Sequence, residues 1–129
     1  MQAAFLRRAI RQFYRNRDYR VNFKKSIHVG NGMIDGEAVR EPYHVAIELK
    51  SDRDDVLRGL GQLLEAVAHG YNQGLLVTSQ QRAGRLDTRV FERSGLGLGS
   101  VDSRGDVTVL IEPMIIYDEW TTNRFVPCP

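Results

Sequence analysis

Asp35, Glu48 and Lys50 are the residues whose types and spacing can act together chemically. Glu48 and Lys50 are two positions apart, so on an extended strand their side chains leave the same face about 7 Å from one another. A chain reversal over residues 40–43 would bring the strand carrying Asp35 back against them. Two carboxylates and an ammonium then converge. Carboxylate oxygens are hard donors suited to Mg²⁺ or Mn²⁺, with waters and substrate phosphate oxygens completing the shell. An ion held this way activates water and neutralises charge on phosphorus, while the ammonium orients that water or stabilises the developing negative charge. An acid-x-Lys tripeptide alone discriminates little, since about 0.4 would arise by chance at this composition. Its setting adds weight: the chain uses fifteen Arg and only three Lys, yet the compact, tunable cation stands at the end of an apolar strand.

Several elements must position these groups. Leu6, Ile10, Phe13 and Tyr14 recur at helical spacing and predict a first helix over residues 2–16. Residues 19–29 alternate and predict a strand, Gly30-Asn31-Gly32 a turn, and residues 33–39 a second strand that carries Asp35. Over residues 44–50, Val45, Ile47 and Leu49 point one way while His44, Ala46, Glu48 and Lys50 point the other. Ser51 or Asp52 can then cap a helix with Asp54 and Asp55 in its first turn, beside the positive end of the dipole. Val56, Leu57, Leu60, Leu63, Leu64 and Val67 are its expected buried stripe, and Gly70 its end. Residues 74–79 read as an interior strand, about 81–93 as a third helix stopped at Gly95, 96–99 as a Gly-rich loop, 103–106 as a turn and 107–111 as a last strand. The order helix, three strands, helix, strand, helix, strand predicts an α/β fold, a mixed central sheet flanked by helices, in one domain over residues 1–129.

Composition narrows the function classes. With 42% hydrophobic and 26% charged residues the chain is globular in character, which excludes disorder and collagen-like repeats. Cys128 is the only thiol, so neither an intramolecular disulfide nor a cysteine zinc site is expected. The apolar stretch from Val107 to Tyr117, broken by Glu112 and Pro113, is shorter than the ~20 residues of a membrane-spanning helix, so an intracellular, cytoplasmic protein is expected.

The net charge of +2 hides an asymmetry, because residues 1–25 hold eight basic side chains against the single acid Asp18. Such a start also describes an organelle transit peptide, against which stand its low Ser content and the strand that follows directly. Arg7, Arg11 and Arg15 line one face of the first helix, and Arg82, Arg85, Arg89 and Arg93 would form one stripe of the third. Four guanidiniums aligned over about 16 Å suit a phosphodiester backbone, which makes nucleic acid the expected partner. Arg58, Gln62, Glu65 and His69 share a stripe of the second helix, either solvated or facing the site. His28, His44 and His69 lack metal-ligand spacing and read as structural. Met114, Ile115 and Ile116, with Tyr117, Trp120 and Phe125, form an apolar group that suits a homodimer contact, followed by a loosely ordered tail over 121–129.

Asp35, a connection, and then Ile47-Glu48-Leu49-Lys50 followed by a helix resembles the PD-(D/E)xK, or restriction-endonuclease-like, nuclease superfamily. That superfamily is built as helix, three-strand meander, helix, strand, so the resemblance covers roughly residues 1–79. It implies that Asp35 and Glu48 bind the metal with help from the Leu49 carbonyl, and that Lys50 is the catalytic lysine. It also implies that Gln62 is the site-facing glutamine that several branches carry on the following helix. The short length is similar to archaeal and viral Holliday junction resolvases. Two features depart from that narrower pattern: Ile34 precedes Asp35 where proline is common, and the first helix has no acid to match the resolvase glutamate. The implied function is a Mg²⁺-dependent endonuclease hydrolysing phosphodiester bonds, with DNA, including branched or junction DNA, as the expected polymer. The alternative is a non-catalytic nucleic-acid-binding module on the same fold. A third reading is an interaction subunit whose Arg82 to Arg93 face is buried against an acidic partner.

Overall fold

The computed structural model describes residues 1–116. Helix α1 (Ala3–Arg15) buries Leu6, Ala9, Ile10 and Tyr14, the face its apolar spacing predicts. It leads into β1 (Arg20–Asn22), after which the chain leaves the sheet. The predicted strand over 19–29 is therefore two strands, because Phe23 turns inward to pack on Gly36, where any Cβ would overlap its ring. The excursion returns as a small hairpin of β2 (Ile27–Val29) and β3 (Gly32–Ile34), turned by Gly30-Asn31 with Gly30 at φ 57°. The predicted strand over 33–39 divides in the same way at Asp35, since β3 belongs to the hairpin and β4 (Gly36–Arg40) to the main sheet.

Strand β5 (Tyr43–Lys50) is antiparallel to β4, with Gly36 opposite Ile47 and Arg40 opposite Tyr43. Helix α2 (Val56–Ala68) then crosses over to β6 (Gln73–Ser79), which is parallel to β5. The cap of α2 is Asp55, whose carboxylate accepts from the Arg58 N–H, rather than Ser51 or Asp52. Its buried residues are Gly59, Leu60, Leu63 and Ala66, whereas Leu57 and Leu64, expected in the core, are 73% and 45% exposed.

The third helix departs most from expectation. It is two short helices, α3 (Gln80–Ala83) and α4 (Thr88–Ser94), broken where Gly84 ends the first and the Asp87 carboxylate caps the second. The Gly-rich segment expected as a loop is the strand β7 (Gly97–Val101), parallel to β6 and wholly buried. Glycine serves a close approach there, because Pro113 fills the space that a side chain at Gly97 would need. Strand β8 (Val107–Ile111) closes the sheet against β7.

The six-stranded sheet runs β1-β4-β5-β6-β7-β8, mixed in direction and flanked by helices, which is the predicted α/β arrangement with a mixed central sheet. One face carries Val45, Ile47, Leu49, Leu75 and Val77 against α1. The other carries Ala46, Leu76 and Leu98 against Leu60, Leu63 and Ala66 of α2 and Phe91 of α4. Each fully buried leucine contributes roughly 1.5–3 kcal/mol, so both layers are tied firmly to β5 and β6. Beyond β8, Met114 N–H donates to the Gly95 carbonyl and Ile116 N–H to the Asn72 carbonyl, which ties this segment to its own chain. Tyr117, Trp120, Phe125, Cys128 and the expected tail over 121–129 lie outside the described residues. Among the described residues no helix is long and apolar enough to cross a membrane.

Candidate active site

The register of β4 and β5 brings the predicted acids together. Gly36 pairs with Ile47, so Asp35, one residue earlier, stands opposite Glu48 at the point where the chain passes from hairpin to sheet. The Asp35 N–H donates to Glu48 Oε1 at 3.0 Å, and Asp35 Oδ2 accepts from the Leu49 N–H at 2.8 Å. Each carboxylate thus keeps one oxygen outside these main-chain bonds. Lys50 projects from the same strand face, its Nζ 3.6 Å from Glu48 Oε2, with both side chains largely buried. The three side chains share one open cavity of about 300 Å³, lined also by Ser26, Ile34, Asp54, Asp55, Arg58 and Gln62.

Glu48 is only 4% exposed. Burial, and next the neighbouring Asp35 carboxylate, push its carboxyl up to about 7, against the opposing pull of Lys50. The sequence therefore places two carboxylates where one ammonium does not offset their joint cost. Such a donor set fits a hard divalent cation, which would restore the charge balance. Among the described residues no group of three or more His, Cys, Asp and Glu side chains forms a metal cluster. An ion here would be held by two carboxylates, supplemented by the Leu49 main chain and water.

Lys50 depends on its neighbours. A Cβ at Gly59 would lie 2.5 Å from Lys50 Cε, so glycine in the interior of α2 makes the channel for the lysine stem. The turn after Lys50 is bound from several sides. Ser51 N–H and Oγ donate to Asp54 Oδ2, each at 2.8 Å, and Ser79 Oγ donates to Asp52 Oδ1 at 2.9 Å. Thr78 Oγ1 donates to the Lys50 carbonyl at 2.7 Å.

The arginine stripe of the third helix is overturned. Arg82 turns inward and donates to the Ser51 and Asp54 carbonyls, clamping the turn after Lys50. Arg89 is held by Asp87 through two side-chain hydrogen bonds of 3.0 Å. Arg85 and Arg93 are exposed, but the break at Gly84 leaves Arg85 in the turn after α3 and Arg93 on α4. On α1, Arg7 and Arg15 are exposed and Arg11 is half-buried.

Gln62 lines the cavity, but its Oε1 accepts from the Met33 N–H at 2.6 Å. Glu65 accepts from the Asn31 N–H at 2.9 Å, and His69 and Glu65 close in on Gly30. The polar stripe of α2 is therefore the seat of the β2–β3 hairpin, whose last step delivers Asp35. His44 pairs with Glu41 at 3.0 Å, apart from the acids. Sequence reasoning missed Ser26, Asp54 and Asp55 as cavity residues and Gly59 as the lysine channel. A helix-interior glycine costs about 1 kcal/mol, and that cost at Gly59 was the available signal.

No family model matches the chain, and no curated protein matches it by sequence. Solved structures do resemble it. An XisH family protein from Nostoc punctiforme has 16% identity and a TM-score of 0.62, over 84% of this chain and 99% of its own. An fdxN element excision controlling factor protein from Anabaena variabilis has 14% identity and a TM-score of 0.59, over 81% and 96%. A protein of unknown function from Silicibacter pomeroyi has 14% identity and a TM-score of 0.68, over 91% and 75%. At these identities the likeness is one of fold.

Proposed function

We propose that the protein is a divalent-metal-dependent nuclease that hydrolyses phosphodiester bonds in nucleic acid, with DNA as the polymer. The observation that carries this reading is the meeting of Asp35, Glu48 and Lys50 in one open cavity at the end of β5. Asp35 and Glu48 would hold Mg²⁺ or Mn²⁺, with the Leu49 carbonyl within the same stretch of main chain. When bound, such an ion supplies Lewis acidity toward phosphate and water.

The chain's own groups do the rest. Main-chain N–H groups of Asp35 and Leu49 fix one oxygen of each carboxylate, which ties the β3–β4 junction to β5 and leaves the other oxygen of each for an ion. Lys50, confined between β5 and α2, presents three donors to a water or a non-bridging phosphate oxygen and places positive charge where negative charge develops. Gln62 and Glu65 hold the hairpin against α2 and so hold Asp35 in place.

The test compares wild type with Glu48→Gln on linear, flapped and four-way-junction DNA in Mg²⁺. Cleavage lost in the variant is the expected result, and preference for the four-way junction would support the narrower resolvase-like reading. Equal residual cleavage by both proteins removes the mechanism. Salt-sensitive DNA binding without cleavage, and without Mn²⁺ binding by calorimetry, would instead identify a non-catalytic binding module.

A further inference from the structure

The basic residues divide by what they touch. Arg17 stacks on the Phe13 ring at 3.6 Å and donates to the Phe13 carbonyl, and Arg40 stacks on Tyr19 at 4.9 Å and donates to the Arg17 carbonyl. Arg82 clamps the turn after Lys50, while Arg89 and Arg104 pair with neighbouring aspartates. These guanidiniums are engaged in the fold. The remaining arginines and Lys24 and Lys25 form no ion pair among the described residues, and Arg7, Arg11, Arg15, Lys24 and Lys25 are those that lie along α1 and the β1–β2 connection leading to the cavity.

Two contacts connect that second group to the cavity. The Arg11 guanidinium lies over the Phe23 ring, 5.9 Å from its centroid. Phe23 in turn packs on Gly36, the residue after Asp35. From Phe23 the chain runs through the exposed Lys24 and Lys25 to Ser26, which lines the cavity. A basic band therefore begins on α1, on the sheet face opposite the pocket, and crosses by the β1–β2 connection to the mouth of the pocket that holds Asp35, Glu48 and Lys50. The lining at the start of α2 carries Asp54 and Asp55 with Arg58, a net negative stretch, so a polyanion is drawn more strongly to the Lys24 and Lys25 approach.

We infer that Arg11, Lys24 and Lys25, continued along α1 by Arg7 and Arg15, form the track on which a nucleic-acid backbone runs into the cavity, past the β1–β2 connection. This rests on the nuclease reading and deepens it by fixing the side from which substrate enters. It assigns two lysines that the arginine stripes left out, and it removes α3 and α4 from the interface. The contacts are to phosphate and carry no base preference.

The test is binding of a fluorescein-labelled DNA duplex, and of the RNA duplex of the same sequence, across a salt series with EDTA present. Each lost phosphate contact lowers the slope of log K against log salt by roughly 0.7–0.9, so Arg11→Gln/Lys24→Gln/Lys25→Gln should reduce it by about 2–3 and weaken binding at least tenfold. The pair Lys24→Gln/Lys25→Gln, exposed and outside the core, should take about two-thirds of that loss with circular dichroism and melting unchanged. Arg85→Gln/Arg93→Gln should leave both affinity and slope as in wild type. An unchanged slope in the triple variant, or a loss in the Arg85/Arg93 variant of the same size, overturns the track while leaving the nuclease reading standing. Wild-type protein that binds neither duplex overturns both.

Discussion

Replacing Glu48 by Gln should make the metal-free protein more stable relative to wild type as pH rises, even though it removes the group on which the proposed chemistry depends. In the folded chain the Glu48 carboxyl is pushed up to about 7, first by burial and then by Asp35, from an ordinary value of 4.5. The folded state therefore holds a proton that the unfolded state has released between pH about 4.5 and 7. By linkage, stability falls as pH rises through that window. A displacement of about 2.5 pH units corresponds to about 3 kcal/mol, fully expressed above pH 7 and absent below 4.5. Glutamine keeps an oxygen for the Asp35 N–H bond and resembles the protonated acid, so it lacks this slope.

The measurement is urea unfolding of both proteins in EDTA between pH 4 and 8, comparing the difference between them rather than either value. Any pH-independent offset, such as a weaker partner for Lys50, cancels in that comparison. The difference should move by about 3 kcal/mol in favour of glutamine, a large share of the about 5–15 kcal/mol that stabilises an ordinary domain. Asp35→Asn removes the second cause of the shift and should flatten the wild-type slope in part. Parallel stability curves for wild type and Glu48→Gln would refute the claim that this carboxylate is held against its electrostatic preference, and with it the main physical reason for a cation here.

Five further substitutions, at four positions, separate positioning from chemistry. Gly59→Ala should lower cleavage on the order of tenfold to a hundredfold by displacing Lys50, with no loss of stability in urea, because alanine favours helix by about 1 kcal/mol and meets only the flexible lysine stem and Leu76. Arg82→Ala should cost about 2–3 kcal/mol of unfolding free energy by orphaning the Ser51 and Asp54 carbonyls, whereas Arg85→Ala should stay within about 0.5 kcal/mol of wild type. Gln62→Ala should speed hydrogen exchange at the Met33 amide and cost about 1 kcal/mol, and Gln62→Glu, which keeps an acceptor, should largely restore protection.

The sheet core was legible because β5 repeats a strict alternation: Val45, Ile47 and Leu49 face α1, and Ala46, Glu48 and Lys50 face α2, as the period of two requires. The meeting of Asp35 with Glu48 followed from that alternation and the short turn at residues 41–42. What escaped the sequence is tertiary. Nothing local says that Phe23 will seek Gly36 and pull the chain out of the sheet, and nothing in Arg82 distinguishes a buried clamp from a phosphate contact. The third helix failed for a local reason that was readable: Gly84 followed by a capping Asp87 interrupts a stripe that counts well only if the helix is continuous. The Gly-rich strand β7 escaped for the opposite reason, since its glycines answer Pro113 and an interior neighbour rather than a turn.

The departures from the predicted meander give the acid its position. Had residues 33–39 formed one strand, Asp35 would pair in register and its main-chain N–H would go to a strand neighbour. Because the strand breaks there, that N–H is released to Glu48 and the Asp35 carboxylate to the Leu49 N–H, so the two acids are cross-tied by backbone. The cross-tie holds only while the hairpin stays seated on Gln62 and Glu65. Helix α2 therefore supports both halves of the pocket, seating the hairpin that brings Asp35 and opening the channel at Gly59 for Lys50. Arg82 of α3 adds a third support by clamping the turn after Lys50, so an electrostatically costly cluster is held by ties from two helices rather than by a large core.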